Sequence, residues 1–391
     1  MDDERYWEEV QEKQQIQGGE SGQHVVQEVD GQPEPLYGEG QNAYPNDGYR
    51  MGAELTVEEH APWWRRGLLS REHGASILLL TIIIIFIAQG TLLRINNDMV
   101  SIIVTQFLIV APAFVYMAIL KQNPFKFIRF RKFHIGSAFL IPLLVVCLVP
   151  VIGVLNALTM LFTTPTIGTT VNDIMGGNLL IGLLLVAVLP GFVEETTFRG
   201  ALYHSIRGAR PVRAIFLSAL MFGAMHMNFN QFVYATALGI IMGFLLEATG
   251  SIVATMLLHF CFNGNSVILL WLMTKLTDMI KDMDVDMSVY EQALEQSSNA
   301  SLSTPEIMMA LCILIPMAVI GGALAFLLYY AIAKLNKRWY YICFLFSKST
   351  KEQRDSYPKP RILYITTIIC FIICLGMCIL AELQARGLIL Q

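Results

Sequence analysis

The chain has 391 residues, of which 54% are hydrophobic and only 15% are charged, and its mean hydropathy is +0.53. An average soluble protein has roughly 45–50% apolar and about 25% charged residues, so this composition excludes an ordinary soluble globular protein. The formal net charge of −4 is unevenly distributed: residues 1–62 carry 15 acidic and 3 basic side chains, against 16 acidic and 24 basic side chains in residues 63–391.

The polar N-terminal region differs from the rest of the chain. Residues 1–62 are rich in Glu, Gln, Gly and Pro and show no sustained hydrophobic period, which predicts a disordered acidic tail. We assign residues 63–383 to a membrane domain and residues 384–391 to a short C-terminal tail.

Nine apolar segments follow the tail, and most reach the roughly 20 residues that a helix needs to cross a bilayer. The fifth and sixth are short and abut, so the prediction is an all-α, polytopic transmembrane helical bundle with eight or nine helices. The segments lie near residues 75–93, 99–120, 136–161, 178–206, 212–230, 231–247, 251–272, 306–333 and 362–383.

Basic residues are concentrated in alternate loops between these segments. The loops after the second, fourth and eighth segments are rich in Lys and Arg, whereas residues 163–178 contain neither. Because basic loops remain in the cytoplasm, these three loops and the N terminus are predicted to be cytoplasmic. The chain shows no eukaryotic retention or transit signal, so we expect a multi-pass protein of a bacterial plasma membrane.

Charged and polar side chains occur inside three of the apolar segments. A charge at the centre of a membrane helix costs roughly 2.5–3.5 kcal/mol on translocon scales, so such residues are candidate functional residues. With each segment centred on its apolar midpoint, Glu194, His259 and Asn263 fall near mid-bilayer and His226 lies a turn away, which predicts one shared site. The candidate residues are Glu194, Glu195 and Arg199 in the fourth segment, His226 with the nearby Phe222 in the fifth, and His259 and Asn263 in the seventh.

Spacing within the helices suggests how some of these residues are arranged. Glu195 and Arg199 are four residues apart and are expected to form an ion pair. Glu194 points about 100° away from Glu195 around the helix and is expected to face a cavity. Pro190 and Gly191 should open the helix just before the two carboxylates, at a depth where loosened backbone must be covered by protein or water.

Several other side chains are interpreted as structural. We expect Glu247 to lie at the membrane interface and His204 to lie on the surface. Three of the seven cysteines recur every four residues on one helix face, and we interpret them as packing residues. These are Cys370, Cys374 and Cys378.

The candidate site residues allow water to be activated for attack on a peptide carbonyl. A carboxylate beside a His can act as a general base, and a second His with an Asn can stabilise an oxyanion. Glu194, His226 and His259 could alternatively bind zinc, since catalytic zinc takes three protein ligands. A non-proteolytic transporter or scaffold that uses the same Glu and His residues, for instance as a proton relay, remains an alternative.

Three ordered motifs resemble those of one protein family. Glu194-Glu195-x-x-x-Arg199, Phe222-x-x-x-His226 and His259-x-x-x-Asn263 are similar to the motifs of the CPBP (Abi or type II CAAX) intramembrane endopeptidases. The resemblance covers about residues 176–272, which would form the catalytic core.

The resemblance implies a role for each motif residue. Glu194 would be the catalytic glutamate and His226 its partner in activating water. His259 and Asn263 would stabilise the oxyanion, with Glu195, Arg199 and Phe222 in support.

The resemblance also implies an activity and a class of partner. The family includes endopeptidases that process prenylated CAAX proteins, and bacterial members linked to bacteriocin immunity or peptide-signal processing. It has been described both as metal-dependent and as metal-free. We favour no cofactor, with a divalent metal such as zinc as the alternative. The expected partner is a membrane-associated peptide or protein, in some cases lipidated, and no nucleic acid is expected.

Overall fold

Within the part of the chain that the structure describes, nine helices of 14 residues or more occupy the nine apolar segments. The computed structural model describes residues 71–88, 95, 97–121, 123–163, 178–207, 211–282, 303–346 and 365–388, and these ranges contain helices and turns but no strand. The predicted all-α class is confirmed. The helices are α1 (Arg71–Ala88), α2 (Asp98–Ile119), α3 (Ile135–Met160), α4 (Leu179–Ile206), α5 (Pro211–Ala224), α6 (Phe229–Thr249), α7 (Ile252–Asp282), α8 (Thr304–Leu335) and α9 (Ile365–Ala385).

Seven of the helices in the described ranges are long and apolar enough to cross a membrane: α2, α3, α4, α6, α7, α8 and α9. Helix α5 is apolar but has only 14 residues, and it pairs with α6 through a short turn. The protein is therefore a multi-pass transmembrane bundle, and the count of eight or nine crossings stays a prediction. The predicted acidic tail, residues 1–62, lies outside the described residues.

Polar side chains cap the helices where they begin. The side chains of Asn97, Asn178 and Asn228 accept hydrogen bonds from backbone N–H groups in the first turns of α2, α4 and α6. The first N–H groups of a helix have no partner within it, and an unsatisfied donor is costly away from water. Helix α6 ends at Gly250, whose φ of 68° is the left-handed conformation that glycine adopts without strain.

Helix α4 continues through Pro190 rather than opening there. Residues Leu183–Val188 and Thr196–Leu202 form wider turns with i→i+5 hydrogen bonds, and the regular turns of Leu189–Glu195 lie between them. Proline has no N–H group, so the carbonyl of Val186 loses its regular α-helical donor at position 190. Widened turns of this kind often occur at functional sites, and here they flank both predicted carboxylates.

Glycines allow α5 and α6 to pack closely. A Cβ atom on Gly239 would lie 3.0 Å from the Cα of Ala219, and one on Gly243 would lie 2.7 Å from a methyl group of Ile215. Small residues at such spacing let helix backbones approach each other in a membrane. The hairpin of α5 and α6 therefore places Phe222 and His226, at the end of α5, against the rest of the bundle.

We expect Gly223→Ala to lower the free energy of unfolding by about 1–3 kcal/mol, the usual cost of overpacking. A Cβ at this position would lie 2.6 Å from the carbonyl oxygen of Phe232 and would also meet the hydroxyl of Thr236. The measurement is denaturant unfolding of the purified protein. Gly376→Ala on α9 is the matched control, because a Cβ there meets nothing within 4 Å. Equal stability of the two variants would contradict this account of the hairpin.

A buried ionic cluster joins the three predicted cytoplasmic loops at one end of the bundle. Glu247 is completely buried within the protein, and its predicted place at the membrane interface stays a prediction. Its carboxylate accepts hydrogen bonds from Arg207 at 2.9 and 3.0 Å and from Arg129 at 3.3 Å, and Arg338 lies 3.6 Å away. Each arginine lies in a different predicted cytoplasmic loop. Their shared contact with Glu247 places these three loops at the same end of the bundle.

The environment of this cluster keeps Arg207 charged. Burial lowers the pKa of the Arg207 guanidinium, but the Glu247 carboxylate raises it by more, and the pKa lies well above its ordinary value. The hydroxyl groups of Tyr203 and Tyr341 also donate hydrogen bonds to Glu247, at 2.7 and 2.9 Å. A buried carboxylate is tolerated when it is paired and hydrogen-bonded in this way.

His204 is buried as well, so its predicted position on the surface is wrong. Its Nδ1 lies 2.6 Å from the carbonyl oxygen of Arg199 and 3.0 Å from that of Gly200, one turn back along α4. The three cysteines of α9 are buried free thiols, and two of them, Cys370 and Cys374, belong to the main hydrophobic core. Their interpretation as packing residues is confirmed.

Candidate active site

Two adjacent carboxylates on α4 have different surroundings. Glu195 is completely buried, and its Oε1 lies 2.8 Å from Nη1 of the equally buried Arg199. The predicted ion pair is therefore present. The side chain of Glu194 is 16% exposed, which agrees with the prediction that it turns away from the pair.

His259 on α7 contacts both carboxylates. Its Nδ1 lies 3.1 Å from Oε1 of Glu195, and its Nε2 lies 3.9 Å from Oε2 of Glu194. A carboxylate only accepts hydrogen bonds, so Nδ1 carries a proton and Nε2 faces Glu194. The second distance is too long for a hydrogen bond, which leaves both atoms available to a third group between helices α4 and α7.

The ring of Phe222 lies at the centre of the site. The guanidinium carbon of Arg199 is 4.2 Å from the ring centroid, which is a cation–π contact. The imidazoles of His226 and His259 make edge-to-face contacts with the same ring, with centroid distances of 5.0 and 6.0 Å. Phe222 therefore joins residues from all three predicted motifs.

His226 lies in the turn after α5 and is held by the last turn of that helix. Its Nδ1 donates to the carbonyl oxygen of Phe222 at 2.9 Å, which fixes the proton on Nδ1 and leaves Nε2 as an acceptor in the neutral ring. The turn after it contains Met227 with a φ of 49°, an uncommon conformation for a residue other than glycine. The imidazole that faces Glu194 is that of His259, and the role of His226 as the partner of Glu194 in activating water stays a prediction.

Asn263 connects α7 to the irregular part of α4. Its amide nitrogen donates to the carbonyl oxygen of Val186 at 3.0 Å, the carbonyl whose regular partner would be the missing N–H of Pro190. One of the two amide hydrogens is used in this bond, so the second remains as a donor. His259 and Asn263 lie one turn apart on α7, as the spacing predicts.

Close approach of α4 and α7 requires a small residue beside the carboxylates. A Cβ on Gly191 would lie 3.4 Å from backbone atoms of Met256 and Phe260 and 3.8 Å from the Cβ of His259. A longer side chain at position 191 would separate the helices and move His259 away from Glu194. The Pro190-Gly191 pair therefore supports the site through packing rather than by ending the helix.

One residue near the carboxylates was not predicted. Gln106 on α2 is 5% exposed, and its amide nitrogen donates to Oε1 of Glu194 at 3.2 Å. The sequence signal that could have indicated it is a side-chain amide in the middle of an apolar span. That signal is weak, because a single amide also occurs as a contact between membrane helices.

The side chains of the alternative zinc site are not grouped to hold a metal ion in this structure. Among the residues that the structure describes, no three His, Cys, Asp or Glu side chains are grouped so that they could hold a metal ion. Nδ1 of His226 lies 2.9 Å from the carbonyl oxygen of Phe222, and Nδ1 of His259 lies 3.1 Å from Oε1 of Glu195. Bonds of this kind leave Nε2 of each ring as the atom that could bind a metal. The expected absence of a cofactor therefore stays a prediction.

Comparison with known proteins supports one family. Residues 176–264 match the family model described as type II CAAX prenyl endopeptidase Rce1-like. The matched segment runs from just before α4 into α7 and contains every motif residue from Glu194 to Asn263. No curated protein and no solved structure matches the chain. The match confirms the resemblance drawn from the motifs and leaves α1, α2, α3, α8 and α9 outside it.

Proposed function

We propose, from the membership of residues 176–264 in the CPBP family of intramembrane endopeptidases, that this protein hydrolyses a peptide bond in a membrane-associated protein or peptide. The observation that carries the proposal is the position of His259, which contacts both Glu194 and Glu195. A reactive carboxylate and a positioned imidazole are thereby brought together inside an apolar bundle.

Glu194 is the proposed general base. A water molecule bound beside its Oε2 loses a proton to the carboxylate as the water oxygen bonds to the carbonyl carbon of the substrate. The carbon–nitrogen bond then breaks, and the proton passes from Glu194 to the leaving amine. The partial exposure of Glu194 admits water and substrate, whereas the completely buried Glu195 is inaccessible to both.

Glu195 has the proposed role of orienting His259. Its carboxylate fixes the proton on Nδ1, so that Nε2 faces the reacting group, in the way that the aspartate of a Ser-His-Asp triad orients its histidine.

Stabilisation of the oxyanion is assigned to His259 and Asn263. When its Nε2 carries a proton, His259 can donate to the negative oxygen of the tetrahedral intermediate, and the second amide hydrogen of Asn263 is a further donor. Donors fixed in a water-poor site are effective because they need no reorganisation during the reaction. His226 lies across the ring of Phe222, and its Nε2 is proposed to bind the attacking water or the substrate.

The proposed substrate is a prenylated protein that ends in a CAAX sequence, since the matching family is named for that activity. The proposed location is a plasma membrane, with the N terminus and the ionic cluster of Glu247 on the cytoplasmic side. The direct experiment incubates the purified full-length protein with a farnesylated CAAX peptide and with the same peptide lacking the lipid. We expect mass spectrometry to show loss of the last three residues from the farnesylated peptide. An intact farnesylated peptide would contradict the proposed substrate class.

We expect hydrolysis to be insensitive to metal chelators, because Glu194, His226 and His259 are not arranged as metal ligands. The measurement compares initial rates before and after treatment with EDTA and with 1,10-phenanthroline, together with the zinc content of the purified protein. Unchanged rates and less than one zinc ion per chain are the expected results. A loss of activity that added zinc restores would contradict this part of the proposal.

A further inference from the structure

The glutamine at position 106 lies outside the segment that defines the family. Gln106 is in the middle of α2, about 70 residues before the matched segment begins. Only 5% of it is exposed, and its neighbours in α2 are almost all apolar. Burying a side-chain amide in an apolar bundle is costly unless its hydrogen bonds are satisfied.

The amide of Gln106 is only half satisfied. Its Nε2 donates to Oε1 of Glu194 at 3.2 Å, whereas its Oε1 is buried and has no hydrogen-bond partner among the described residues. An apolar side chain of the same size would avoid the cost of the unsatisfied oxygen. A locally unfavourable choice of this kind is typical of functional sites. The hydrogen bond to Glu194 is the interaction that an apolar side chain at position 106 would lack.

The two oxygens of Glu194 are thereby approached from two different helices. Gln106 on α2 donates to Oε1, and Nε2 of His259 on α7 faces Oε2 at 3.9 Å. A carboxylate on a flexible side chain needs such a contact to hold one orientation. With Oε1 fixed by Gln106, Oε2 is directed toward His259 and the position proposed for water.

We propose that Gln106 is a positioning residue for the general base. This inference rests on the proposed function of Glu194. The Nε2–H of Gln106 fixes Oε1 of Glu194, so that Oε2 meets the attacking water in the productive geometry. The catalytic site therefore extends beyond the three family motifs to a helix that the family match does not cover.

A purely structural role for Gln106 predicts a different behaviour. Polar side chains also join membrane helices, and α2 and α4 share another such contact, in which the hydroxyls of Tyr116 and Ser205 lie 3.0 Å apart. Tyr116 lies ten residues after Gln106, about 15 Å further along α2 at 1.5 Å per residue. Tyr116→Phe removes a buried polar contact between the same two helices without touching Glu194, which makes it the matched control.

The experiment measures kcat, KM and the unfolding temperature of the full-length protein with the farnesylated CAAX peptide. We expect Gln106→Met and Gln106→Leu to lower kcat by about 10- to 100-fold, since a misplacement of about 1 Å can cost 100-fold. KM should change less than threefold, because the interaction acts on the chemical step. The unfolding temperature should be equal to or above that of the native protein, because the unsatisfied oxygen is removed. Tyr116→Phe should lower the unfolding temperature and leave kcat within about twofold.

Two results would overturn the inference. Full kcat in both Gln106 variants would show that Glu194 needs no contact from α2. A fall in kcat accompanied by a lower unfolding temperature, of the same pattern as in Tyr116→Phe, would show that Gln106 serves only to join the helices. Failure of the native protein to cut the peptide is a separate outcome, because it contradicts the proposed function and removes the basis of the inference.

Discussion

Replacing Glu194 with glutamine is expected to lower the rate of peptide hydrolysis by about 10²- to 10⁴-fold, the usual contribution of a general base. Glutamine has the same shape but cannot accept the proton that leaves the attacking water. The protein should remain folded, because Glu194 is partly exposed and forms none of the short buried ion pairs. The measurement is kcat with the farnesylated CAAX peptide, combined with quantification of the protein in the membrane.

Glu382→Gln is the matched control for this variant. Glu382 is a carboxylate on another membrane helix, α9, where it pairs with Arg386 at 2.7 Å near the end of the helix. Its replacement removes one carboxylate without reaching the site and should leave kcat unchanged. If Glu194→Gln retains activity while Glu195→Gln accumulates normally and is inactive, the base is Glu195 and the assignment made here is wrong.

The second large effect is expected on stability. Glu195→Gln should lower the free energy of unfolding by about 3–5 kcal/mol, the cost of removing one partner of a buried ion pair. The substitution leaves the guanidinium of Arg199, which is 1% exposed, without its counter-charge and replaces one acceptor oxygen by an amide nitrogen that only donates. Denaturant unfolding of the purified protein measures the change. The pair of Glu382 and Arg386 has the same spacing but an exposed arginine, so Glu382→Gln should cost at most about 1 kcal/mol.

A double variant separates the loss of charge balance from the loss of packing. In Glu195→Gln combined with Arg199→Met, neither charge remains, and similar volumes fill the space. Replacing a buried pair by apolar or neutral groups is often neutral for stability, so the double variant should regain most of the stability that Glu195→Gln loses. Additive losses from the two substitutions would show that the pair contributes through shape rather than charge.

Much of this organisation could be predicted from the sequence because it depends on local patterns. Long apolar segments specified the nine helices, and the spacing of Glu195 and Arg199 specified their ion pair. The three motifs identified the helices that form the site, and the structure brings Glu194, Phe222 and His259 into contact. These inferences need only the period of a helix and the length of a membrane span.

The remaining features depend on which helices become neighbours, and helical periodicity does not specify that. The partners of Glu247, which are Arg129, Arg207 and Arg338, could not be predicted because they are distant in sequence. The contact of Gln106 with Glu194 and the position of His259 beside both carboxylates likewise arise from the packing of α2, α4 and α7. Widened turns around Pro190 are a further example, since proline was expected to open the helix and instead changed its pitch locally.

The proposed cleavage of a peptide bond in the membrane, with Glu194 as the general base, can be tested directly in cells. The test uses mass spectrometry to compare the termini of membrane proteins and secreted peptides in cells that carry equal amounts of the native protein or of Glu194→Gln. We expect a terminus that is present with the native protein and absent with the variant, which would also identify the substrate. Identical termini in both cells, with a phenotype lost only in the variant, would contradict proteolysis and favour a proton relay or a scaffold.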